Sequence, residues 1–66
     1  MLSPREIDVL RLLARGSSYA EIGVQLGVSA NTVDSHVKNI YRKLGVHTAA
    51  AAVMRAVELR LIGDSP

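Results

Sequence analysis

Apolar residues recur along this chain in steps of three and four, and each run is closed by a glycine. Ile7, Leu10, Leu13 and Ala14 mark the first run, stopped at Gly16; Ile22 and Leu26 mark a second, stopped at Gly27. Val33, Val37, Ile40 and Leu44 form a longer third run ending at Gly45, and a fourth extends from Ala49 to about Leu61, with Gly63 and Pro66 beyond it. Steps of three and four are the helical period, and glycine just past the last periodic residue suits the left-handed conformation that ends a helix. The pattern predicts an all-α fold, a four-helix bundle.

The starts agree with the stops. Ser3 precedes Pro4 and has Glu6 three residues on, and Ser18 has Glu21 at the same offset, the reciprocal capping-box spacing. Ser29 and Thr48 are the next N-cap candidates, and Leu2 with Ile7, and Val28 with Val33, can staple the entering chain. Helix two is barely two turns long, and only about three residues separate it from helix three, so the two must cross sharply. Helices joined in this way through a glycine form a helix-turn-helix, here central in the bundle.

At 66 residues the chain has room for one core and is read as one domain spanning 1–66. Without Phe, Trp or Cys, that core must come from aliphatic side chains, and neither a disulfide nor a thiolate zinc site can hold it. No apolar run reaches the roughly 20 residues of a membrane span, and the first residues lack the pattern of a signal peptide, so a cytoplasmic protein is expected. The alanine run from Ala49 to Ala52 reads as helix propensity.

A net charge of +2 says little alone, but between Ser29 and His47 three cations, Lys38, Arg42 and Lys43, face the single acid Asp34. At about 100° per residue, Val33, Val37, Ile40 and Leu44 share one stripe of helix three, with Tyr41 at its edge. Opposite lie Asn31, Asp34, Ser35, Lys38 and Arg42, flanked by Thr32, His36, Asn39 and Lys43. Every one of these is a hydrogen-bonder. A solvated helix face would look similar, but a capped, basic-faced helix straight after a short glycine-stopped one is the geometry that projects into a DNA major groove. Base-edge contacts are therefore assigned to Asn31, Asp34, Ser35 and Lys38. Phosphate contacts are assigned to Ser18, Tyr19, Thr32, Asn39, Arg42 and Lys43.

Leu2-Ser3-Pro4-Arg5-Glu6, Glu21-Ile22, Leu26-Gly27-Val28-Ser29, Thr32-Val33, His36-Val37, Ile40 and Lys43-Leu44-Gly45-Val46 together resemble the LuxR/FixJ-type DNA-binding domain over nearly the whole chain. The resemblance implies the C-terminal output module of a bacterial transcription regulator, of the two-component or quorum-sensing type, placed behind a receiver or ligand-binding domain. It also implies groove contacts from Asp34, Ser35 and Lys38, a phosphate contact from Thr32, and a hydrogen-bonding His36 at the edge of the packing of helices two and three. Because the sequence starts at the family's first motif, an excised domain with Met1 as an added start is expected rather than a natural single-domain regulator.

Four positions depart from the family pattern. Asp34 stands where Lys or Arg is common; it either pairs with Lys38 four residues on or accepts a hydrogen bond from cytosine N4. Ala20 replaces a frequent Lys, leaving Ser18 and the amides at the start of helix two to anchor a phosphate. Gly23 replaces Ala at the close crossing of helices two and three, at a cost of about 1 kcal/mol in helix propensity. Ala49 replaces an Arg.

Apolar surface covers well over half of helix four, more than one packed stripe needs. Family members pair through this helix, so a homodimer through Ala50, Val53, Met54 and Val57 is expected on a two-fold-related site. The same surface supports the alternative, a helical protein-interaction module that does not bind DNA. A sigma-factor-like promoter reader fits the Ser3-Pro4-Arg5-Glu6 opening less well. RNA polymerase is a candidate partner; no membrane and no small-molecule ligand are expected. His36 and His47, without Cys or a carboxylate pair, make no recognisable metal site. No nucleophilic triad or phosphate-binding loop occurs, so neither a cofactor nor an enzyme is expected.

Overall fold

The computed structural model describes residues 1–63. Four helices, α1 (Pro4–Ala14), α2 (Tyr19–Leu26), α3 (Ala30–Leu44) and α4 (Ala49–Glu58), make up the fold, with no strand among the described residues. Each begins at its expected cap. The Ser3 and Ser18 hydroxyls accept the amides of Glu6 and Glu21 at 3.1 Å, while each glutamate accepts its cap's amide in return. Ser29 and Thr48 cap α3 and α4 through the amides of Thr32 and Ala51.

The end of α4 differs from the sequence expectation. The helix stops at Glu58, not near Leu61, because the backbone reverses at Arg60, a non-glycine residue with φ 59°. The Arg60 amide bonds to the Val57 carbonyl and the Leu61 amide to that of Ala56, the same pair of bonds with which Gly16 and Ser17 close α1 on Leu13 and Leu12. Such a reversal usually takes glycine, so a sequence reader looks to Gly63 for the stop. Here an arginine accepts it, and Ile62 turns back into the core. Pro66, also expected beyond this helix, lies outside the described residues.

Val9, Leu10 and Leu12 of α1, Ile22 of α2, Val33, Val37 and Ile40 of α3 and Ala52 and Ala56 of α4 form the core, closed at its edge by Leu2 and Ile62. The α1 stripe is rotated from expectation: Leu10 is buried with Val9 and Leu12, whereas Ile7 and Leu13 are half-buried and Ala14 is exposed. An 11-residue helix packed against three neighbours buries a wider arc than one stripe, so spacing alone does not fix its centre. The α3 stripe stands as read, with Leu44 half-buried at its end.

Helix α3 packs against α1, α2 and α4, while α2 packs on α1 and α3 alone. The α2–α3 crossing depends on Gly23. A Cβ there would lie 2.6 Å from the Val28 carbonyl oxygen, closer than carbon and oxygen tolerate. The glycine therefore does more than tolerate the crossing; it allows α2 to run directly against the backbone of the turn that launches α3.

Candidate nucleic-acid interface

Three residues, Gly27 to Ser29, connect α2 to α3, and with the inner side of α3 fixed by Val33, Val37 and Ile40, the other side must face away from the bundle. Asn31, Thr32, Ser35, Lys38 and Arg42 are exposed there, and Asp34, His36 and Asn39 are half-buried along its margins. The four assigned base-contact residues thus share one outward face. Local bonds organise it: the hydroxyls of Ser29 and Thr32 lie 3.0 Å apart, and Arg42 donates to Asn39 at 3.1 Å.

Asp34 and Lys38 form an ion pair of 3.0 Å, one turn apart, with side chains 44% and 75% exposed. Of the two accounts the sequence left open for Asp34, the pairing is present in the free chain.

Ser18 and Tyr19 sit at the start of α2. The Ser18 hydroxyl accepts the Glu21 amide, while the Ser18 amide, donating to the Glu21 carboxylate at 2.7 Å, and then the Ser18 hydroxyl hold that carboxyl below the ordinary glutamate range. Tyr19 is half-buried. Burial raises its hydroxyl above the ordinary phenol range, helped by Tyr41 and then by the charge of Asp34. Like any phenol it is a neutral hydrogen-bond donor at physiological pH.

Lys43 has a partner that the sequence did not reveal. It was assigned to the phosphate flank, but its ammonium is held 2.9 Å from a carboxylate oxygen of Glu6, whose side chain is 5% exposed. Burial raises the Glu6 carboxyl, but the Ser3 amide, the Lys43 bond and charge, and the Ser3 hydroxyl outweigh it, and the net result is a lowered pKa. One carboxylate therefore completes the α1 capping box and ties α1 to the end of α3. Glu6 was recognisable as a cap residue, but its link to Lys43 spans 37 residues and leaves no periodic trace in the sequence. His36, expected to hydrogen-bond beside α2, shows no side-chain hydrogen bond among the described residues. No group of three or more potential metal ligands occurs among those residues either.

Once both pairs are set aside, Arg42 is the one α3 cation without a carboxylate partner among the described residues. This is a face rich in hydrogen-bonding groups and poor in net charge.

On α4, Ala50, Val53, Met54 and Val57 share one side, with Ala50 exposed, Met54 67% exposed, and Val53 and Val57 half-buried against the core. No helix among the described residues is long and apolar enough to cross a membrane.

A capped helix launched by a three-residue turn, with its polar face outward, defines a helix-turn-helix domain of the DNA-binding class. Residues 1–56 match the GerE model, described as bacterial regulatory proteins of the luxR family, and the chain belongs to that family, one of transcription regulators rather than enzymes. It is 44% identical over 62 residues to the transcriptional activator protein YukR of Yersinia ruckeri, covering 94% of this chain and 27% of that protein. It is 45% identical over 62 residues to the probable transcriptional regulatory protein NarL of Mycobacterium tuberculosis (strain ATCC 25618 / H37Rv), covering 94% of this chain and 29% of that protein. Among solved structures it resembles the response regulator ChrA of a heme-sensing two-component system, with TM-score 0.91 and 42% identity over 94% of this chain and 31% of that one. The chain thus spans between a quarter and a third of the length of these relatives.

Proposed function

We propose that this chain, as one domain spanning 1–66, binds double-stranded DNA sequence-specifically as the output domain of a bacterial transcription regulator, of the response-regulator or quorum-sensing type. The observation that carries the reading is the outward face of α3, where Asn31, Asp34, Ser35 and Lys38 stand together clear of the core. Side chains of these types can bond base edges in the major groove. Ser18, Tyr19, Thr32, Asn39 and Arg42 serve phosphates on either side, chiefly as neutral donors. Lys43 shares its charge with Glu6 and has two further N–H donors, so its contribution to a phosphate is weakened rather than lost.

With one cation on the face lacking a carboxylate partner among the described residues, a single copy has weak electrostatic hold. A second copy adds contacts without adding charge density, and the Ala50, Val53, Met54 and Val57 side of α4 is the apolar surface for such a homodimer, with half-sites about one helical turn of DNA apart. The reading places the protein in the cytoplasm, with RNA polymerase as a partner.

Binding to a mixed duplex pool across a salt series tests this. Affinity should fall on a log–log plot with a slope of roughly −0.9 for each phosphate a cation neutralises. A duplex that competes with no better than background affinity at about 50 mM salt overturns the reading in favour of a protein-interaction module. Sedimentation that finds one copy per palindromic duplex at saturation removes the dimer.

A further inference from the structure

We infer that Asp34 and Lys38 read a single G·C base pair together, in one orientation, as a coupled donor–acceptor unit. This rests on α3 entering the major groove. Lys38 Nζ and Asp34 Oδ2 are 3.0 Å apart and both side chains are open to solvent. In the major groove, guanine O6 and the N4 amino group of its cytosine are joined by their own Watson–Crick hydrogen bond, so they too lie about 3 Å apart. A donor and an acceptor at that separation meet an acceptor and a donor at the same separation. Lys38 donates to O6 and the adjacent N7, Asp34 accepts from N4–H, and the ion pair closes the ring.

The polarity fixes the orientation. Reversing the pair to C·G sets an amino group against the ammonium and a carbonyl against the carboxylate, two repulsive contacts in place of two attractive ones. A T·A pair offers the right polarity, O4 under Lys38 and N6–H under Asp34, but replaces the second acceptor N7 with the thymine methyl. It ranks second. A·T, with both contacts reversed, ranks with C·G.

Asp34 supplies the stringency. It is the less exposed of the two and belongs to the N-terminal part of α3, the part that meets base edges in helix-turn-helix docking. Docking strips water from its carboxylate among phosphates. The donors that the major-groove floor can return are cytosine N4–H and adenine N6–H. A site without one there leaves a desolvated charge unpaired, and rejection by an unsatisfied polar group is stronger than preference by a satisfied one. The pairing alone explains little of why an acid stands on this face, since exposed pairs at this spacing contribute little to stability.

The test selects duplexes from a random pool with the 66-residue chain, then measures affinity for the four base pairs at each enriched position, using wild type, Asp34→Ala, Lys38→Ala and the double variant. Wild type should favour G·C over C·G at one position per half-site by about tenfold or more, with T·A between. Asp34→Ala should bring G·C and C·G to within about threefold, and the double variant should lose little more discrimination than either single one. Equal tightening of Asp34→Ala on all four base pairs, or the absence of any oriented G·C position, overturns the coupled reader while leaving DNA binding intact. A pool with no enrichment overturns the DNA-binding reading itself, and this proposal with it.

Discussion

Two lysines of α3 form ion pairs of nearly equal length and serve opposite ends. Lys43, at the C-terminal end, holds the buried Glu6 of α1 at 2.9 Å; Lys38, a little over one turn earlier, holds the open Asp34 of its own helix at 3.0 Å. Burial separates them. Removing one partner of a buried pair strands the other, so the Glu6 pair is bound up with the fold, whereas an exposed pair is worth a few tenths of a kcal/mol and can exchange partners. Lys43 is thus committed to α1, whereas Asp34 and Lys38, nearer the N-terminal part, are bound only to each other and stay open to solvent. That N-terminal part is seated by close approach instead, with Gly23 against the Val28 carbonyl.

The contrast breaks most visibly at the glycine. Gly23→Val puts a β-branched side chain where even a Cβ meets backbone at 2.6 Å, and a carbonyl cannot rotate out of the way as a flexible side chain can. We expect a loss of about 3 kcal/mol or more, at the upper end of overpacking costs. A domain of this size holds only about 3–5 kcal/mol in all, so thermal melting should show no cooperative transition or one lowered by more than about 12 °C. Gly23→Ala regains about 1 kcal/mol of helix propensity and should be the milder variant. A wild-type melting curve for Gly23→Val would mean that the α2–α3 crossing is looser than described.

Next comes Lys43→Met, which keeps the aliphatic reach and removes the ammonium. Glu6 retains the Ser3 amide at 2.8 Å and Lys43 is itself 34% exposed, so the loss falls short of a fully buried pair: about 2 kcal/mol by urea denaturation. A change below about 0.5 kcal/mol would place this pair with the exposed one and erase the distinction.

The helices were legible because each boundary carries local chemistry: Ser3 with Glu6, Ser18 with Glu21, and glycines at 16, 27 and 45. The α4 terminus was not, because Arg60 adopts a glycine conformation that no local residue pattern announces. Within the site, the outward face of α3 followed from periodicity, and the Asp34–Lys38 pair from its four-residue spacing. The commitment of Lys43 to Glu6 is a product of tertiary packing, invisible until α1 and α3 are set side by side. Spacing therefore identified Lys43 as a surface cation but could not show that it was already engaged.

Acid sharpens the same comparison. The folded-state pKa of Glu6 is lowered, so its stabilising contribution is fully present above the ordinary glutamate value of about 4.5 and is lost as pH falls through the lower folded value. Lys43→Met removes one of the causes of that lowering. The stability difference between wild type and Lys43→Met should therefore be constant near neutrality and shrink as pH falls below the ordinary glutamate range. Glu21, lowered by Ser18 alone, titrates identically in both proteins and cancels from the difference. A difference that stays flat down to pH 3 would mean that Lys43 stabilises the fold through its methylenes, not through its charge.

The smallest expected effect concerns the other pair. Asp34→Ala removes a carboxylate that is 44% exposed and leaves an ammonium that is 75% exposed, so neither loss strands a buried charge. Alanine also favours the helix over aspartate by a few tenths of a kcal/mol, which offsets what the pair contributed. Urea denaturation should place Asp34→Ala within about 0.5 kcal/mol of wild type, of either sign. Near neutrality in stability is what makes the position available to a partner: a side chain on which the fold does not depend can be turned toward a base edge at no structural cost. A loss of 2 kcal/mol or more, comparable with Lys43→Met, would show that Asp34 supports the fold through the α2 side of the helix, and the contrast between the committed Lys43 and the open Asp34–Lys38 pair would not survive it.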